Sequence, residues 1–162
     1  MPLFRRTLSE KKQEKIANKL KDGIGTRDSG SIYPLHRNFE SLKIPVLNQS
    51  PSRTTEQIKQ APEFIKKTKG FNPQKKDDLA NFIARNMIST EIDHASTGTE
   101  SGPASRVKRE IMKKTGGSLI GIDIDTATKM VKETVEFKEL TAKVDPAFKN
   151  QIARRMVEFL KM

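Results

Sequence analysis

Between Gly23 and Arg53 the chain carries no hydrophobic period, neither the 3.6-residue repeat of a helix nor the alternation of a strand. Gly23, Gly25, Gly30, Pro34, Pro45 and Pro51 punctuate the stretch, with Asn and Ser between them. A connector of that length without secondary structure is unusual inside one packed domain. Such a stretch is expected to be disordered or to order along a partner surface. It sets the expected organisation: a basic N-terminal arm over residues 1–70, then a helical domain over 71–162.

Composition agrees with a chain that is not all core. Hydrophobic residues make up 34%, about 40% with the nine Gly counted, and charged residues 31%, against roughly 45–50% apolar with Gly included and 25% charged in an ordinary soluble domain. The absence of Cys excludes a disulfide scaffold, a thiol enzyme, a thiolate zinc site and an iron–sulfur protein. Lys and Arg total 31 against 20 Asp and Glu, a net charge of +11. The excess is uneven. Residues 1–70 hold 15 basic and 7 acidic side chains, and residues 71–162 hold 16 and 13.

Two short helical pieces are expected in the arm. Thr7 and Glu10 have the spacing of a capping box, and a helix over about 8–21 would end at Gly23. Its apolar face is thin (Ile16, Ala17, Leu20), so alone in water it would be marginal. A second piece over about 54–69 would be capped by Thr54 or Thr55, restart at Pro62 and stop at Gly70. Residues 23–53 are expected to be irregular.

Four amphipathic helices are expected after residue 70, giving a mostly α fold. Asn72-Pro73 reads as a cap followed by Pro at the first helical position. Leu79, Phe82, Ile83 and Met87 then fall within an arc of about 140°, in a helix running to near Ile92. Gly102-Pro103 opens a helix with Ala104, Val107 and Ile111 on one side, closed by Gly116-Gly117. A short strand is expected near 118–124, and Asp125 is expected to cap the next helix, which carries Ala127, Met130, Val131, Thr134 and Val135 on one face. Asp145-Pro146 starts the last helix, where Phe148, Ile152, Met156 and Phe159 lie within about 80°.

Charge supplies the main functional expectation. Arg5, Arg6, Lys11, Lys12, Lys15, Lys19, Lys21, Arg27 and Arg37 form a cationic tract suited to phosphate, where each contact releases condensed counterions without reading sequence. Against this stands a plain solvated tail, with Glu10, Glu14, Asp22 and Asp28 interleaved. Two apolar strips, Ile32, Tyr33 and Leu35 and then Leu42, Ile44, Val46 and Leu47, are expected to dock on partner proteins.

Other constellations are weaker. The helices around 104–114 and 126–140 resemble a DNA-reading helix pair, with Thr126, Thr128, Lys129 and Lys132 facing a groove. The connection of about ten residues exceeds the 3–4 of that motif. Asp123 and Asp125 would share one face of an extended strand and could hold a divalent ion with phosphate oxygens, but Asp125 already has a use as a cap. Glu91, Asp93 and His94 lack converging ligands for a metal site. Lys113-Lys114-Thr115-Gly116-Gly117-Ser118 lacks the residue order of a phosphate-binding loop and reads as a helix stop.

The expectation is therefore a non-catalytic assembly or adaptor subunit of a large nucleoprotein or virion-like particle. It would work without metal or cofactor, touching other protein subunits and, through non-specific phosphate contacts, nucleic acid. The alternatives are a DNA-binding protein using the helix pair at 104–140, and a metal-dependent enzyme acting on a phosphorylated substrate through Asp123 and Asp125. No signal peptide or membrane span is read from the sequence, so the expected place is the cytoplasm or an intracellular or viral particle.

Overall fold

The computed structural model describes residues 7–22, 44–97, 102–117 and 119–161. These are mostly helical, and no strand occurs among the described residues. In chain order the helices are α1 (Glu10–Asp22), α2 (Pro51–Gln60), α3 (Pro62–Lys67), α4 (Pro73–Ser96), α5 (Pro103–Thr115), α6 (Ile124–Glu133), α7 (Val135–Leu140) and α8 (Pro146–Leu160), with a single 3-10 turn at Val46–Asn48.

Local chemistry sets the boundaries. The Ser9 hydroxyl accepts the Lys12 N–H, so Ser9 and not Thr7 caps α1. Ala61 is extended because Pro62 follows it, which separates α2 from α3. Asn72 Oδ1 accepts the Lys75 N–H at 2.8 Å ahead of Pro73, and α4 continues to Ser96. Gly116 ends α5 at φ +67, a left-handed conformation that suits glycine.

The stretch after α5 departs from expectation. Residues 119–123 form turns, not strand, and Ser118 lies outside the described residues. Asp123, not Asp125, caps α6: its Oδ2 accepts the Thr126 N–H at 3.0 Å. The single helix expected over 126–140 is two. Thr134 takes an extended conformation and caps α7 by accepting the Phe137 N–H, while its hydroxyl donates to the Val131 carbonyl. A buried Thr that can satisfy both groups makes the break affordable in hydrogen bonds.

The chain divides into two compact units, one of residues 1–46 with 51–90, the other of 47–50 with 91–162. In the first, Ala17 and Leu20 of α1, Ile58, Ala61, Phe64 and Phe71, and Leu79, Ala80, Ile83 and Ala84 of α4 form one buried apolar cluster. Leu8, Ile16, Ile44 and Met87 pack against it. The longer segment of the second unit begins at Glu91. Helices too short to persist alone gain stability by burying their thin apolar faces on α4. The residues on which the extended arm chiefly rests, 1–6 and 23–43, lie outside the described set.

In the second unit α6 packs chiefly on α8, and α5 on α7. The side chains of Val107, Val131, Ile152, Met156 and Val157 are fully enclosed. The backbone N–H of Asp145 donates to the Leu47 carbonyl at 2.7 Å, tying the start of α8 to the 3-10 turn.

Candidate polyanion interface

Helix α1 is positioned by polar as well as apolar contacts. Gln13 is buried, yet both ends of its amide are used. Nε2 donates to the Leu8 carbonyl at 2.6 Å, and Oε1 accepts the Asn72 N–H at 3.1 Å. The Leu8 N–H donates to the Gly70 carbonyl at 2.8 Å. Glu14 pairs with Lys75 at 3.6 Å, and the Lys21 ammonium lies over the Phe82 ring, 4.8 Å from its centroid.

This docking fixes which face of α1 meets water. Gln13, Ala17 and Leu20 are buried and Ile16 is half-buried. At 3.6 residues per turn the opposite arc, about 120° wide, carries Lys11, Lys12, Lys15, Asn18 and Lys19, all exposed, and Asp22, the last residue of the helix, falls on the same arc by spacing. Lys11, Lys15 and Lys19 repeat every four residues, about 6 Å apart along the axis. Glu14 lies about 40° outside the arc and Glu10 about 80°, and Glu14 is engaged by Lys75.

The fold adds charge that sequence reading had not joined to this tract. The Leu8–Gly70 bond brings the end of α3 and the turn after it, with exposed Lys66, Lys67 and Lys69, toward the start of α1. A helix end rich in Lys was legible in the sequence. Its neighbourhood with residue 8 was not, because the two are joined only through tertiary hydrogen bonds.

Other expected residues fall as follows. Arg5, Arg6, Arg27 and Arg37, and Ile32, Tyr33, Leu35 and Leu42 of the strips, lie outside the described residues. Val46 is buried and Ile44 packs on the first unit's own cluster. Leu47 is half-buried and offers its carbonyl to Asp145. Val46 and Ile44 therefore spend their apolar surface within this chain and do not stand as a free docking strip.

The helix-pair arrangement loses a member. Thr128 is buried and its hydroxyl donates to the Ile124 carbonyl, while Lys132 reaches Asn150. Asp123 and Asp125 do not share a strand face, since one caps α6 and the other lies in its first turn. Thr126, by its hydroxyl and then its N–H, holds the Asp123 carboxyl below its ordinary value. Asp125 lies 3.5 Å from Arg154. Asp93 accepts from Arg155 Nε at 2.8 Å, and Arg155 also donates to Glu158. No group of three or more His, Cys, Asp or Glu side chains that could hold a metal occurs among the described residues. Thr115 donates to the Ile111 carbonyl and accepts the Gly117 N–H, so the turn after α5 is closed by its own side chain.

A groove of about 360 Å³ in the first unit is lined by Pro51, Ser52, Thr55, Asn81, Ala84, Arg85 and Ile88. The Thr55 hydroxyl donates across it to Asn81 Oδ1. No helix among the described residues is long and apolar enough to cross a membrane.

Comparison of the chain with protein-family models, with curated proteins and with solved structures gives no match.

Proposed function

We propose that this chain is a non-catalytic assembly or adaptor subunit that contacts the phosphate backbone of nucleic acid through the exposed lysine face of α1. The observation that carries the reading is the exposed arc of Lys11, Lys12, Lys15 and Lys19 on a helix docked by buried Gln13. Lysine is a compact point charge on a flexible stem, suited to phosphate without base selection. A docked helix has already lost most of the freedom that a free arm would lose on binding, which favours affinity. In an assembly, such a face would hold nucleic acid while other surfaces meet protein subunits.

The test is a salt titration of binding to a labelled DNA duplex. The full chain is compared with a variant carrying Lys11→Gln, Lys12→Gln, Lys15→Gln and Lys19→Gln. Gln keeps good helix propensity, and circular dichroism checks that helix content is retained. Removing four phosphate contacts is expected to flatten the slope of log K against log salt by about 3–4, at roughly 0.9 per contact. An unchanged slope and affinity would refute the reading.

A further inference from the structure

The positive charge of the second unit is concentrated on one helix. Outside α5, residues 91–162 hold 8 Lys and Arg against 10 Asp and Glu. Helix α5 itself holds Arg106, Lys108, Arg109, Lys113 and Lys114 against a single acid, Glu110. The unit would be slightly acidic without this helix.

Glu110 is engaged by the backbone of the same unit. Its Oε1 accepts the Val135 N–H at 3.0 Å, at the start of α7, and its Oε2 is buried without a hydrogen-bond partner. Ala104, Val107 and Ile111 fill the buried side of α5. On the wheel of an α-helix the outward arc of about 160° then holds Lys108, Met112, Ser105, Arg109, Lys113 and Arg106, with no carboxylate. All but Ser105 are exposed. Arg106 lies 3.6 Å from Glu136, with its side chain still 52% exposed. Elsewhere in the unit, acids and bases share the outward faces: Asp125, Lys129, Lys132 and Glu133 on α6, Arg154, Arg155 and Glu158 on α8.

We infer that the outward face of α5 is a second surface for nucleic-acid phosphate, separate from α1 and carried by the other unit. The inference rests on the reading of α1 given above for the class of partner, and on its own charge distribution for the place. A unit that concentrates its cations on one helix face, with Glu136 paired to Arg106 at its border, is complementary to a polyanion.

The experiment uses the full chain and a labelled duplex across a salt series. Three variants are compared with the parent: the four-lysine α1 variant, an α5 variant (Lys108→Gln, Arg109→Gln, Lys113→Gln), and the two combined. Arg106 is left in place so that its pairing with Glu136 is kept. The α5 variant is expected to flatten the salt slope by about 2–3, at roughly 0.9 for each lost contact. The loss is expected to add to that of the α1 variant, since the surfaces share no residue. Thermal melting confirms that the α5 variant folds, and a charge-conserving Lys108→Arg, Lys113→Arg variant is expected to keep the parental slope. An α5 variant with parental slope and affinity overturns the inference while leaving the α1 reading intact. Loss on the α5 variant alone overturns the α1 reading and upholds this one. Binding of the parent to phosphatidylserine vesicles through α5, without duplex binding, overturns both.

Discussion

Replacing Gln13 with Ala isolates what holds α1 in place, because it removes no charge and little apolar surface. The side chain is buried and satisfies two backbone groups at once, the Leu8 carbonyl and the Asn72 N–H. Each group left without a partner costs about 1–3 kcal/mol. Freeing the Gln side chain from burial returns up to about 1.5–2 kcal/mol of rotamer entropy. The expected net loss is about 2–4 kcal/mol, a large part of the roughly 5–15 kcal/mol that stabilises an ordinary domain. Two measurements read it: urea unfolding, and hydrogen exchange of the α1 amides. If α1 opens without the rest of the first unit, the loss appears as faster exchange in residues 10–22 with a small change in the urea midpoint. If the unit opens as a whole, the midpoint moves. The lysine face provides a further readout, since an undocked α1 keeps its charges: duplex affinity is expected to fall while the salt slope stays parental. A variant with a stability change below about 0.5 kcal/mol and parental exchange would refute the argument that Gln13 locks α1.

Two other outcomes follow from the second unit. Ile152→Ala empties a position that is 0% exposed in α8, and is expected to cost about 2–5 kcal/mol in thermal or chemical unfolding; unchanged melting would mean that α8 is not part of the unit's core. Asp123 has its folded-state pKa lowered by the Thr126 hydroxyl and N–H, so its contribution to the α6 start is fully present above its ordinary 3.8 and is lost as pH falls through the lower folded value. Asp123→Asn caps without titrating, so the melting-temperature difference between parent and variant is expected to vary with pH only in that acid range. A difference constant down to the lowest pH measured would contradict the capping role.

Much of the fold was legible because helix ends are written locally. Asn72-Pro73, Gly102-Pro103, Gly116 and Asp145-Pro146 act through contacts within three or four residues, and each marks a boundary in the structure. The lysine face of α1 was legible for the same reason: Lys11, Lys15 and Lys19 share a face by spacing alone. Two caps fell on neighbouring residues: Ser9 caps α1 where Thr7 was expected, and Asp123 caps α6 where Asp125 was expected. Which residue caps depends on how the incoming chain is held.

What the sequence by itself determined is the helical class, the places where most helices start and stop, and the concentration of charge on particular helical faces. Only the tertiary structure decided that α1 belongs to a packed unit with α4. That decision rests on Gln13 meeting Asn72 across 59 residues, and on a thin apolar face completed by Ile58, Phe64 and Leu79. It also engaged Glu110 with the Val135 N–H at the start of α7. Spacing along a chain fixes which side chains share a helix face, but which face is buried depends on the surface it meets.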